Sequence, residues 1–252
     1  MYETIIYEKE NGIGVIILNK PQRMNALSTQ MVEELEKLID EIERDKEIRV
    51  IILAGGDKFF CAGADLKEEK PPDYLKKLRR LFYKIENGEK PVIAAINGIA
   101  YGGGLELALV CDLRLASDSA RLGMPEIKIG TIPSAGGTQR LPRTIGITKA
   151  KEVVLSGNPI NGNEAYRIGL VNKVVSVNSL LDEAKKMALV LSERPPLALK
   201  MARSAINTGL KIDLESGLDY EARCSAFLST TKDRKEGRRA FLEKRKPIFK
   251  GE

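Results

Sequence analysis

The sequence predicts an α/β protein that ends in a helical section. Short β-branched runs of buried-strand type alternate with stretches that repeat apolar residues at helical spacing. Beyond Pro195-Pro196, three helical stretches follow with no strand between them. Hydrophobic residues make up 43% of the 252 positions and charged ones 30%. That supplies enough apolar side chain to bury a core and too much for a disordered chain.

Each element has a local reason. Ile13 to Leu18 (IGVIIL) and Val50 to Leu53 (VIIL) are strand-like runs. Between them, Met31, Leu35, Leu38, Ile39 and Ile42 recur on one helical face over Ser28 to Glu43, with Ser28 placed to cap the start. Tyr74 to Lys84 has Leu78, Leu81, Phe82 and Ile85 on its apolar side, and spacing puts Lys76, Arg80 and Lys84 on one basic face. Val92 to Ile96 is a third strand, followed by Asn97-Gly98, the triplet Gly102 to Gly104 and an apolar helix from Leu105 to Val110. Asp112 to Ala116 reads as a strand, Lys149 to Leu155 as a helix, and Asn178 to Ser192 as the helix that closes the core. Pro196 to Leu210, Leu214 to Ser229 and Lys232 to Lys244 form the helical end. The division expected is a core over 1–193 and a helical region over 194–252. Gly55 to Lys58 and the charged stretch Glu68 to Asp73 read as loops, the second as mobile. Gly12-x-Gly14 reads as part of a strand and so is not a dinucleotide fingerprint.

The chain contains no histidine. Ser-His-Asp and Cys-His catalysis within one chain are excluded, and with them His-ligated zinc. Cys61, Cys111 and Cys224 are too few for a disulfide framework or a Cys-only metal site, and they read as reduced thiols of a cytoplasmic protein. No metal is expected. No apolar run approaches the roughly 20 residues that span a bilayer. Met1 to Glu10 lacks an apolar leader segment, so no signal peptide is expected. The net charge of +6 fits a phosphate-bearing partner. Acid–base chemistry must fall to carboxylates, Lys, Tyr or backbone amides.

Two carboxylates stand out. Glu106 interrupts the apolar helix after the glycine triplet, and a buried charge there needs a reason; the alternative is a solvent-facing position. Glu126, in Gly123-Met124-Pro125-Glu126-Ile127, is also flanked by apolar residues, and its alternative is a first-turn acid favoured by the helix dipole. Together they could act as a paired acid and base. Gly102 to Gly104 and Ala62-Gly63-Ala64 can each offer backbone amides to an oxyanion. Ser134 in Pro133-Ser134-Ala135-Gly136-Gly137 is not a nucleophile elbow, since Ile132 stands where glycine is needed and no histidine could activate it.

These segments together resemble the crotonase (enoyl-CoA hydratase/isomerase) superfamily. The resemblance rests on Phe60-Cys61-Ala62-Gly63-Ala64-Asp65-Leu66, Ala95-Ile96-Asn97-Gly98, Gly102 to Ala108, Pro125-Glu126 and Gly136-Gly137-Thr138-Gln139-Arg140-Leu141. It extends from Asn25-Ala26-Leu27 to Lys232-Asp233-Arg234-Lys235-Glu236-Gly237. It implies a crotonase-like spiral of repeated ββα units, a C-terminal helical trimerisation region, a homotrimer or homohexamer, and coenzyme A thioester substrates. Coenzyme A is then part of the substrate, and no separate cofactor is expected.

Carried over by position, the N–H groups of Ala64 and Gly103 would form the oxyanion hole. Glu106 would activate the attacking water and Glu126 would exchange the α-carbon proton. Ala62, Gly63, Asp65, Leu66 and Lys67 would line the coenzyme A path, and Phe241 and Lys244 would reach coenzyme A on a neighbouring subunit. Ser134 departs from the glycine that many relatives carry. The activity implied is hydration of a short- or medium-chain enoyl-CoA. The alternatives are methylglutaconyl-CoA hydration with RNA binding through Tyr74 to Lys84, and enoyl-CoA isomerisation. A nucleic-acid partner is not expected, because a charged helical stripe is usually a solvated face.

Overall fold

The computed structural model describes residues 2–56 and 58–252. Met1, at the leader-free start, and Asp57, in the expected Gly55–Lys58 loop, lie outside the described residues. The chain opens with a hairpin of β1 (Ile5–Glu10) and β2 (Ile13–Leu18), turned at Asn11-Gly12 with both residues at positive φ. Gly12 is therefore in the turn and only Gly14 in the strand, which corrects the reading of both as strand. There follow α1 (Thr29–Arg44), β3 (Val50–Gly55), α2 (Tyr74–Asn87), β4 (Val92–Ile96), β5 (Ile99–Tyr101) and α3 (Gly103–Leu109). Next come β6 (Leu113–Ser117), β7 (Arg121–Gly123), α4 (Gly137–Ile145), α5 (Ile147–Ser156), β8 (Ile160–Asn161), α6 (Gly162–Arg167), β9 (Lys173–Val175) and α7 (Leu180–Ser192). The end is helical: α8 (Pro196–Gly209), α9 (Leu214–Ser229) and α10 (Lys232–Leu242).

Six strands form one sheet in the order β1-β2-β3-β4-β6-β9, parallel throughout except for the opening hairpin. A second sheet holds β5, β7 and β8, with β5 and β7 parallel. Single bridges extend the second sheet's pattern to earlier turns of the chain, Leu27 with Ala64 and Cys61 with Ala100. Each turn of the chain thus contributes one long strand, one short strand or bridge, and then a helix: β2, Leu27, α1; β3, Cys61 to Ala64, α2; β4, β5, α3. This is the expected spiral of ββα units.

The central strands β2, β3 and β4 are buried on both faces, which explains why they read as continuous apolar runs. Val15, Val50, Ile52, Ile93, Ala95 and Leu115 pack on Leu180, Ala184 and Ala188 of α7. The alternate residues Ile16, Leu18, Ile51, Leu53, Ala94 and Ile96 face the interior of the spiral with the apolar sides of α1 and α2. Ser28 caps α1 by accepting from Met31 N–H at 3.3 Å. At the start of the Glu68–Asp73 stretch, expected to be mobile, Thr29 N–H donates to Glu68 at 3.1 Å and Lys70 Nζ to Leu27 O at 3.0 Å. At the other end, the tail returns to the core, with Asp233 accepting from Lys250 and Gly251 N–H and Arg49 donating to Phe249 O.

Candidate active site

The second sheet's register sets the first part of the site. Cys61 pairs with Ala100, so three residues further on, Ala64 and Gly103 occupy equivalent places on consecutive turns. A Cβ built on Gly103 would lie 3.5 Å from Ala64 N, so the two amides are neighbours. Gly103 opens α3, whose first N–H groups have no partner inside the helix. Among the described residues neither N–H donates to another protein group. Two free, rigid donors side by side are what an oxyanion needs. Glycine at 63 permits the approach: its φ is +96°, and a side chain there would stand 2.7 Å from Tyr101 O.

Glu106 lies one turn into α3, all of whose residues are buried, and it is 3% exposed. The solvent-facing alternative is excluded. Its Oε1 accepts from Ala135 N–H at 2.9 Å and Gly137 N–H at 2.7 Å, and no protein donor reaches Oε2 among the described residues. Burial raises its pKa above the ordinary carboxylate value, and the two N–H bonds and the charge of Arg140 pull it partly back. Glu126 is, as its alternative reading had it, a first-turn acid, in a 3-10 turn spanning Pro125–Ile129. Its carboxylate nevertheless points inward: a Cβ on Gly102 would lie 2.7 Å from Oε1, and Oε2 is buried without a hydrogen bond. Burial pushes Glu126 up to about 7, with the charge of Glu106 adding to the shift. One carboxylate is gripped by two backbone donors, and the other has a buried oxygen without a donor, so burial raises both while their surroundings differ.

A family model described as enoyl-CoA hydratase/isomerase matches residues 8–252. The chain belongs to the enoyl-CoA hydratase/isomerase family. It is 41% identical over 249 residues to the short-chain-enoyl-CoA hydratase of Clostridium acetobutylicum, covering 96% of this chain and 95% of that one. It is 43% identical over 256 residues to the mitochondrial methylglutaconyl-CoA hydratase of Mus musculus, covering 97% and 82%. The solved structure of an enoyl-CoA hydratase from Bacillus anthracis superimposes with a TM-score of 0.96 at 42% identity, over 99% of this chain and all of that one.

Within this enoyl-CoA hydratase/isomerase fold, the residues expected along the coenzyme A path fall into two groups. Ala64, Leu66 and Lys67 are exposed, Leu66 at 75%. Ala62 is half-buried and Gly63 buried. Asp65 is buried too, and its carboxylate is already occupied by Arg23, by Lys20 at 3.6 Å and by Lys67 N–H at 3.1 Å. Its side chain latches the Ala64 segment to the Pro21–Arg23 turn. Phe241 (83% exposed) and Lys244 lie at the outer end of α10. Two members of the basic face that spacing suggested, Arg80 and Lys84, do lie together, with Lys77 rather than Lys76 beside them. Lys77, with Arg80 and Lys84, turns toward α1 and pairs with Glu33, Glu36 and Asp40, because acidic side chains on α1 meet it there. Most of that positive stripe is thereby neutralised.

A cavity of about 840 Å³ opens between α2, α4 and α8, lined among others by Arg79, Tyr83, Leu109, Ser134 and Ile206. Neither Glu106 nor Glu126 lines it; it borders Ser134 to Gly136, and Glu86 and Arg140 are also in its wall. Sequence reasoning singled out the two carboxylates and both amides but gave no role to Ala135, Gly137, Arg140 or Glu86. The Gly136-Gly137 pair was the only local signal for this support, since backbone donors carry no side-chain signature.

Proposed function

We propose that this protein is an enoyl-CoA hydratase that adds water reversibly across the trans-2 double bond of a short- or medium-chain enoyl-CoA, giving the 3-hydroxyacyl-CoA. The observation that carries the reading is the buried Glu126, pushed up to about 7, against Gly102 at the start of the helix that bears the donor-held Glu106 and the free Gly103 amide. The thioester oxygen accepts from Ala64 and Gly103 N–H, which stabilise the enolate-like charge as the β-carbon is attacked. Glu106, ionised, takes a proton from water through its free Oε2. Glu126, protonated, delivers a proton to the α-carbon, so both protons of the water are accounted for across the cycle once the carboxyls re-equilibrate. Coenzyme A enters as part of the substrate.

A second reading, hydration of a carboxylated enoyl-CoA, is favoured by Arg79 and Arg143 in the cavity bordering Ser134 to Gly136. Exposed apolar side chains on the helical end, Ile206, Leu214, Leu218 and Phe227 among them, support a homotrimer or a dimer of trimers built through the 194–252 region. The buried free thiols Cys61, Cys111 and Cys224 support a cytoplasmic location. No helix among the described residues is long and apolar enough to cross a membrane.

The test is loss of enoyl-thioester ultraviolet absorbance with crotonyl-CoA, for the wild type, Glu106→Gln and Glu126→Gln. Rapid loss in the wild type, abolished in either folded variant, is the expected result. Full activity in both variants overturns the assignment of residues, and an inactive wild type that still binds coenzyme A thioesters overturns the substrate.

A further inference from the structure

Glu86, in the last turn of α2, and Arg140, in the first turn of α4, form a forked ion pair. Arg140 Nε donates to Glu86 Oε1 at 2.7 Å and Nη2 to Oε2 at 2.9 Å. Both side chains are half-buried in the cavity wall, Arg140 at 24% and Glu86 at 19% exposure. The remaining nitrogen, Nη1, donates to the carbonyl oxygen of Ala135 at 3.1 Å. Ala135 is the residue whose N–H holds Glu106. Gly136 lies flat against the guanidinium: its φ is +116°, and a Cβ there would collide with Nη1. A single planar cation therefore ties α2 to the carbonyl side of the peptide segment whose N–H side carries Glu106.

We propose that Arg140, braced by Glu86, is a positioning residue for Glu106, locking the Ala135–Gly137 segment so that both N–H groups grip one carboxylate oxygen and leave the other turned to water. This deepens the hydratase reading and rests on it. The rigid fork is what the role requires, because a lysine could supply charge but not three simultaneous bonds in a fixed plane. Three charged or titratable groups act around Glu106: Arg140 from α4 favours its ionised form, while Glu126 from the 3-10 turn and the Tyr74 hydroxyl from α2 share the same field. Removing Arg140 loosens the segment and raises the Glu106 pKa together.

The experiment compares Arg140→Gln, Arg140→Lys and Glu86→Gln with the wild type for kcat, KM, melting temperature and the pH profile of crotonyl-CoA hydration. A slightly misplaced catalytic group costs on the order of 100-fold in rate. Arg140→Gln is expected to lose that in kcat with KM little changed, and its acid limb moves to higher pH. Arg140→Lys restores the limb but only part of kcat, and Glu86→Gln falls between. An unaltered kcat and acid limb in Arg140→Gln, or a loss that tracks melting temperature with an unmoved limb, overturns the proposal. Infrared titration of Glu106 in wild type and in both Arg140 variants needs no substrate. An unmoved titration in Arg140→Gln overturns the proposal even if crotonyl-CoA proves to be the wrong substrate.

Discussion

Gly137 N–H donates to Glu106 Oε1 at 2.7 Å, and a Cβ on the same glycine would stand 3.0 Å from that oxygen. The residue that holds the carboxylate thus also sets the space in front of it. The same added carbon would meet Pro133 Cβ at 2.8 Å and Met124 Cε at 2.9 Å, so it has nowhere to go but against the site. Gly137→Ala should therefore lower stability and, in the folded protein, lose about 100-fold in kcat by displacing Glu106. Steady-state kinetics beside a melting curve separate the two effects.

The pH profile follows from the two carboxyls. In the hydration direction Glu126 must carry its proton, and its pKa stands at about 7, so the rate should fall as pH rises through that value. Glu106 must be ionised, and its pKa is also raised, so the rate should fall again on the acid side. A bell-shaped kcat profile is expected for the wild type. A flat profile from acid to alkaline pH would refute these roles.

Gly63→Ala tests the oxyanion pair. Its φ of +96° and the 2.7 Å approach to Tyr101 O leave no room for a side chain. Strain of this kind costs about 1–3 kcal/mol. Shifting the Ala64 amide should also remove about 10²–10³-fold in kcat, the range for losing an oxyanion donor. Urea unfolding and turnover of the same sample measure both.

Asp65→Asn should act on stability first. The carboxylate is buried and joined to Arg23, and its hydrogen bond with Arg23 holds its pKa below the usual value. A group with a depressed folded pKa stabilises above its unfolded pKa and loses that contribution as pH falls through the folded one. Loss of such a charge-assisted bond costs about 1.5–3 kcal/mol near neutral pH. The difference between wild type and variant should shrink as the solution is acidified, which denaturant titration at two pH values will detect.

Much of this was legible one residue at a time. The capped helix from Ser28, the strand Val92–Ile96 and the helices from Pro196 and Leu214 follow from local periodicity and end signals, and the structure has them with nearly the same limits. The second sheet was not legible. It is built from β5, β7 and β8, two or three residues each, and from single bridges at Leu27 and Cys61, too short to carry an alternation.

Composition and motif order by themselves determined the chemistry available: no histidine, two acids in apolar settings, and glycines where backbone amides are exposed. The ordered motifs also determined the family. Only the tertiary structure decided that Ala64 and Gly103 adjoin, that Glu106 is gripped by Ala135 and Gly137, and that Arg140 ties that grip to Glu86. It also turned Lys77 rather than Lys76 toward α1 and spent Asp65 on Arg23. Each of these joins residues dozens of positions apart through backbone atoms or ion pairs. Such contacts are fixed by how the spiral stacks one turn on the next, and no local spacing encodes which turn will lie alongside.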